Sequence, residues 1–234
     1  MNGYHEPWLS NIIVDSGNRL KYKYNLSEDT LTQIDNSVYK FVDLGLPSGN
    51  LWCNKNVGAS SIIDVGNKYR WGEILSAKGS DSWTSYKYSE SDGTITKYNE
   101  TDGLYILQPE DDIVSVELCD YENSEYYSCM PTADDFNELV QNCVFLYTSE
   151  ANVNGIRYTS QTNGNYIFIP NNAGIDSQLW SSTGCIGTQY DHYATYWYWD
   201  DDYSKTGAVR ITSGNKYFKY SVRPILKRKK QFVW

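Results

Sequence analysis

The sequence predicts an α+β domain with two helices, small twisted antiparallel sheets and much loop, preceded by a short N-terminal docking segment. Three observations point there. Short apolar or alternating runs recur along the 234 residues, separated by Gly, Ser and Asn turns. Only two segments carry helix signals. The 22 tyrosines and 8 tryptophans suit a pleated, half-buried surface. At roughly 150 residues per domain, the length fits one main domain with an appendage. It is enough for a core without disulfide or metal staples.

Residues 1–37 read as the docking or assembly segment. Ile12-Ile13-Val14 is a short strand, Asp15-Ser16-Gly17-Asn18 a turn, and Leu20-Lys21-Tyr22-Lys23-Tyr24 an alternating partner strand, so a hairpin is expected. Ser27 is placed to N-cap a short helix through Leu31. This piece is too small to bury its own core and is expected to dock on the main domain or on another chain.

Residues 38–226 read as one domain. A first helix is expected over Pro109–Val116, with Pro in its first turn and Glu110, Asp111 and Asp112 complementing the dipole. A second is expected over Thr132–Val140. There Thr132 is the N-cap, Asp135 nearly completes a capping box, and Phe136, Leu139 and Val140 form the buried stripe. Strands are expected at Tyr166–Ile169, Tyr193–Trp199, Ala208–Thr212 and Tyr217–Arg223, with Thr212-Ser213-Gly214-Asn215 as a hairpin turn. Residues 227–234 form a basic tail opened by Lys227-Arg228-Lys229-Lys230.

Composition excludes several functions. Twenty Lys+Arg against 29 Asp+Glu leave a net charge of −9, which disfavours nucleic acid as a partner. No apolar run approaches the ~18 residues of a membrane helix, so no membrane insertion is expected. Two histidines, His5 and His192, rule out a multi-His zinc site. Charge is uneven. Residues 81–150 hold two lysines against sixteen acids, net −14, whereas residues 151–234 hold ten Lys+Arg against five Asp, net +5. A solvated acidic face and a basic tail explain this; the sharper reading is an acidic patch that meets a cation or a basic partner. The five cysteines, Cys53, Cys119, Cys129, Cys143 and Cys185, form no CxxC pair. The start, Met1–Pro7, lacks the basic and apolar regions of a secretory signal. If that start is natural, a reducing compartment and free thiols packed as small hydrophobes are expected.

Ten strings in order then carry a resemblance. They are Phe41-Val42-Asp43-Leu44-Gly45-Leu46-Pro47-Ser48-Gly49-Asn50-Leu51-Trp52, Asn56-Val57-Gly58-Ala59-Ser60, Trp71-Gly72-Glu73, Pro109-Glu110-Asp111-Asp112 and Met130-Pro131-Thr132. Phe136-Asn137-Glu138-Leu139, Asn163-Gly164-Asn165, Ile169-Pro170, Trp180-Ser181-Ser182-Thr183 and Ser221-Val222-Arg223-Pro224 follow. Together they resemble the Fibrobacter succinogenes major paralogous domain, abundant in Bacteroidetes. That family is similar to the formylglycine-generating-enzyme type of C-type lectin fold. The resemblance implies two helices flanking a small twisted antiparallel sheet, with a displayed, loop-rich face in the C-terminal half. Family members look like secreted lipoproteins. This chain departs from them in its signal-less start, its N-terminal piece and its basic end, and in this it resembles the lectin-fold tips displayed on phage particles.

Within that frame Trp52, Trp71 and Trp180 are expected in the core, and Arg223 is expected to pair a buried carboxylate such as Asp43 or Glu73. The candidate ligand-binding residues are Tyr190, His192, Tyr193, Tyr196, Tyr198 and Tyr203. On a strand Tyr196 and Tyr198 share one face and Trp197 and Trp199 the other, so one face packs and the other offers rigid rings with polar neighbours. The run Tyr190–Thr195 also fits the residue set of retroelement-diversified lectin-fold faces. Asp200, Asp201 and Asp202 are candidate ligands for Ca2+, the one cofactor considered, which needs six to eight oxygens from several segments. A bare Asp triplet is also a common solvated turn.

Enzymatic readings are disfavoured. Formylglycine-generating enzymes use paired reactive cysteines, and only Cys185 lies in the matching half. No spacing singles out a glycosidase carboxylate pair, and no P-loop, GxSxG or dinucleotide fingerprint occurs. The expectation is therefore a non-enzymatic display protein of a phage virion: a head or tail fibre or a decoration. It is expected to be homo-oligomeric, attached to other virion proteins through residues 1–37, and to bind a host surface glycan or protein. The alternative is a Bacteroidetes cell-surface adhesin or lipoprotein domain.

Overall fold

The computed structural model describes residues 39–123, 125–171, 178–185, 187, 189–199 and 209–229, and the backbone of three N-terminal strands. Of residues 199, 209 and 210 only the backbone is described. The chain divides into two compact units, Met1–Lys40 and Phe41–Trp234.

In the first unit, β1 (Ile12–Val14), β2 (Leu20–Asn25) and β3 (Thr30–Leu31) form an antiparallel sheet in that order. The expected hairpin is β1–β2, with Ile13 opposite Tyr22. The short helix expected through Leu31 is corrected. Thr30 and Leu31 are extended and pair with Asn25 and Tyr24, so their backbone groups are satisfied by β2 rather than by a helical turn.

Among the described residues the second unit holds three sheets. In the first, β4 (Phe41–Asp43), β5 (Leu51–Cys53), β7 (Tyr126–Cys129) and β15 (Ile225–Arg228) take the order β4-β5-β15-β7. In the second, β6 (Lys68–Tyr69), β11 (Leu179–Gly184), β12 (Tyr193–Trp199), β13 (Val209–Asn215) and β14 (Tyr220–Ser221) take the order β13-β12-β11-β14-β6, antiparallel except between β11 and β14. The third joins β8 (Cys143–Glu150), β9 (Val153–Ser160) and β10 (Tyr166–Pro170) in the order β10-β9-β8. With two α-helices among the described residues, this is a loop-rich α+β fold. None of the described helices is long and apolar enough to cross a membrane.

Helix α2 (Ala133–Asn142) has the expected capping box: the Thr132 hydroxyl accepts from the Asp135 amide, and the Asp135 carboxylate accepts from the Thr132 amide. The first helix is shorter than expected. Pro109–Asp111 is a 3-10 turn, and α1 is Ile113–Glu117. Asp112 is its N-cap, accepting from the Val114 and Ser115 amides; a side chain that caps cannot sit inside the same helix. Thr212–Asn215 is corrected from a turn to strand. It runs within β13, with Gly214 opposite Ala194, and the chain reverses after Asn215. Gly214 is there for packing, since a Cβ would lie 2.9 Å from Cε1 of Tyr196. The expected strand Tyr217–Arg223 shrinks to β14. The β8–β9 hairpin gave no signal in the sequence, because its two-residue turn is Ala151-Asn152, at φ 46° and 65°, rather than Asn-Gly.

One core unites the three sheets and α2 through Leu44, Trp52, Phe136, Leu139, Tyr158 and Trp197. Trp52, Trp71 and Trp180 are fully buried, as expected. Trp71 Nε1 donates to the Ser181 carbonyl and Trp180 Nε1 to that of Tyr69. Arg223 is corrected: among the described residues it meets no carboxylate. Its guanidinium donates to Asn56 Oδ1 (2.8 Å), the Cys53 carbonyl (3.0 Å) and the Phe168 carbonyl (3.0 Å). Asp43 instead accepts from the Gly45 amide and Glu73 faces Arg70. Neutral acceptors from three segments satisfy the fork without burying a second charge, and burial pushes the Arg223 pKa down to about 10.

Candidate functional site: an aromatic strip beside an open groove

Strand alternation sorts β12 into two faces. Trp197 points into the core, where it stacks on Phe136 and donates from Nε1 to the Tyr158 hydroxyl at 3.0 Å. Thr195, on the same face, donates to the Thr183 carbonyl. Tyr196 and Tyr198 lie on the other face, half-buried, with ring centroids 5.7 Å apart.

From those two rings an aromatic strip crosses the second sheet. Tyr196 lies 4.6 Å from Tyr220 and 5.9 Å from Trp180, and Trp180 lies 4.5 Å from Tyr220. Tyr220 leads to Phe218 at 6.0 Å, Phe218 to Tyr217 at 5.0 Å, and Tyr217 to Trp83 at 4.5 Å. Trp83 ends the strip against His192 at 4.7 Å, and the His192 Nε2 lies 3.1 Å from the Gly93 carbonyl. Burial raises the pKa of Tyr196 and Tyr220, so both hydroxyls stay protonated.

Beside the strip is an open groove of about 490 Å³ lined by Lys68, Ala77, Asp81, Gln178, Phe218, Lys219 and Tyr220. Phe218 and Tyr220 supply its apolar wall. Lys219 Nζ sits 3.0 Å from Asp81 and donates to the Gly79 carbonyl at 2.7 Å, which fixes the rim. The groove therefore presents ring faces, a carboxylate acceptor, ammonium donors and an amide within one cleft.

The candidate residues read from the sequence separate here. Tyr196 and Tyr198 lie on the strip and His192 at its far end. Tyr193 is on the face of Trp197, away from Tyr196. Tyr190 is exposed (57%) but makes no ring contact with the strip among the described residues. Ala194 is fully buried and Asp191 nearly so, so the Tyr190–Thr195 run is not one continuous exposed face. Tyr203 and Asp200, Asp201 and Asp202 lie outside the described residues. Among the described residues no group of three or more His, Cys, Asp or Glu could hold a metal ion. The sequence reading missed Trp83, Phe218, Tyr220 and the polar rim. The i, i+2 spacing of Phe218 and Tyr220 was a usable signal; nothing local joins Lys68, Asp81 and Gln178.

Part of the acidic excess is internal. Asp111 accepts from Lys97 (2.5 Å), Lys87 (3.2 Å) and the hydroxyls of Tyr98 (2.7 Å) and Tyr88. Burial works to raise its pKa, but these four donors outweigh burial and hold it at about 2. Its neighbour Asp112 is buried against the amides of Val114, Ser115 and Met130 and the Ser115 hydroxyl, with no cation beside it in the described residues, and burial raises it to about 6.

In comparisons with known proteins, no family model matches the chain, and neither a curated protein nor a solved structure shows significant similarity to it.

Proposed function

We propose that the protein is a non-enzymatic adhesion protein of C-type-lectin-like fold, displayed on a phage particle, that binds surface glycans of a Bacteroidetes host through the aromatic groove. The observation that carries this reading is the meeting of Phe218 and Tyr220 with Asp81, Lys68, Lys219 and Gln178 at one open cleft. A sugar offers C–H faces and hydroxyl edges; ring faces take the first, and carboxylate, ammonium and amide groups take the second. Tyr220 is held between Trp180 and Tyr196, so little rotamer freedom is lost when a ligand stacks there. The thiols of Cys53, Cys129, Cys143 and Cys185 are all pushed up by burial, which disfavours a thiolate nucleophile. Display on a particle rests on the sequence resemblance, with residues 1–37 contacting other virion proteins.

Calorimetric titration with polysaccharide purified from a Bacteroidetes cell surface tests the reading. Saturable binding is expected, weakened about tenfold by Phe218→Ala (about 1.4 kcal/mol) with the melting temperature unchanged. No binding by the wild type, or equal binding by the variant, rejects the groove. Detection of the chain in purified particles that infect the same host tests its location.

A further inference from the structure

We infer that the site takes an extended run of several units of one polysaccharide chain, laid from the groove along the aromatic strip to Tyr198, and not a single terminal sugar. This rests on the glycan-binding reading of the groove. Two rings of the strip, Phe218 and Tyr220, also line the groove. From there the strip leaves it: Phe218 leads to Tyr220 at 6.0 Å, Tyr220 to Tyr196 at 4.6 Å and Tyr196 to Tyr198 at 5.7 Å. Each step is comparable to the span of a pyranose ring. Among the described residues Phe218 makes no ring contact with Tyr196 or Tyr198, and Tyr220 none with Tyr198, so the four rings form a run rather than a cluster. All four keep part of their surface in solvent. A site for a chain end closes around one sugar, whereas this groove is open and its apolar wall continues into the run.

The ring planes say what kind of chain fits. Neighbours along the run are inclined by 45°, 46° and 45°. A flat surface, such as the face of a crystalline polysaccharide, meets only one ring of each pair. A single soluble chain turns about its glycosidic bonds and can follow them. On the groove side the planes turn by 85° from Phe218 to Tyr217, which ends the run there.

The platform is preformed. Tyr196 and Tyr220 both pack on the fully buried Trp180, so stacking on them orders little that is not already fixed. Once one unit is held in the groove, contact of the next units with Tyr196 and Tyr198 is intramolecular, and affinity grows with chain length. Nucleic acid, the other extended ligand that stacks on rows of rings, also needs a cationic track for its backbone. Here the net charge is −9, and Lys219, between Phe218 and Tyr220, is engaged by Asp81 and the Gly79 carbonyl.

Calorimetric titration with size-sorted oligosaccharides, released by partial hydrolysis from the Bacteroidetes surface polysaccharide, tests this. The hexasaccharide should bind at least about tenfold more tightly than the disaccharide. Tyr198→Ala should remove about tenfold from the hexasaccharide and leave the disaccharide within about twofold, while Tyr198→Phe, which keeps the ring, should bind both as the wild type does. A disaccharide that binds as tightly as the hexasaccharide overturns the inference; if Phe218→Ala weakens both, the groove reading still stands. A hexasaccharide affinity unchanged by Tyr198→Ala also overturns it, because the chain then does not reach the end of the run. If Tyr198→Ala unfolds, the length series of the wild type decides alone. No binding at any length overturns the inference and the groove reading together.

Discussion

The ammonium group of Lys216, fully buried, donates to the main-chain carbonyl of Asp191 at 2.5 Å. The same Nζ donates to the Tyr98 carbonyl at 2.8 Å and lies 4.9 Å from the centre of the Trp71 ring. The Lys216 amide donates to the His192 carbonyl. One side chain thus pins the loop that leads into β12 and its rings.

Burial lowers the Lys216 pKa from 10.5 to about 8. Between those values the unfolded chain binds the proton and the folded chain does not, so stability from this group rises with pH across that window. Thermal melts should show the rise from pH 8 toward pH 10, and Lys216→Met should abolish it. At neutral pH the variant should lose about 2 kcal/mol, because two buried carbonyls lose their donor.

Asp111 and Asp112 should act oppositely on acid stability. Asp111, held at about 2, stabilises the fold above the ordinary carboxylate range, and that stability is lost as pH falls toward 2. Asp112, raised to about 6, burdens the fold above pH 6, and the burden lifts as pH falls toward its unfolded value of 3.8. Asp111→Asn should remove the acid-side loss and cost about 2 kcal/mol at neutral pH by stranding lysine and tyrosine donors. Asp112→Asn should flatten the gain between pH 6 and 4 while keeping a competent helix cap. Melting curves of the three proteins from pH 2 to 7 separate these limbs.

Tyr196 and Tyr198 should differ although they share a face. Tyr196 is wedged against Trp180 and Tyr220, whereas the one ring contact of Tyr198 among the described residues is with Tyr196 itself. Tyr196→Ala should cost about 3 kcal/mol of stability, as truncating a packed aromatic does. Tyr198→Ala should cost under about 1 kcal/mol. Denaturant midpoints check both.

Gly214→Ala should disturb both the strip and the groove wall, since the added Cβ would also lie 3.3 Å from Phe218 Cδ2. The new methyl would meet the Tyr196 ring at 2.9 Å, and the ring or strand must shift. A loss of about 1–2 kcal/mol in stability is expected, as overpacking typically costs, together with weaker glycan binding. Unchanged values on both counts would show that the ring has room to turn.

What was legible in the sequence were features set by neighbours in the chain. The Thr132–Asp135 box, the β1–β2 hairpin and the alternation of β12 each follow from residues a few positions apart. The buried tryptophans were legible because their area leaves them few other places. Arg223 was misread because its acceptors, Asn56, Cys53 and Phe168, are neutral groups brought together by tertiary structure. The groove was missed for the same reason: Lys68, Asp81, Gln178 and Phe218 come from four separate segments. Thr212–Asn215 has turn chemistry, but at Gly214 the Tyr196 ring claims the space a side chain would fill.

The place of β15 has a consequence for how the protein is made. It lies between β5 and β7, with Ile225 facing both Trp52 and Cys129. β4 and β5 therefore wait for the much later β15 before their sheet can close. Contacts this distant in sequence slow folding and leave apolar strands uncovered during synthesis. This sheet thus closes only once β15 has emerged, and a ribosome-stalled product lacking Ile225–Arg228 should be a chaperone client rather than a partly working domain.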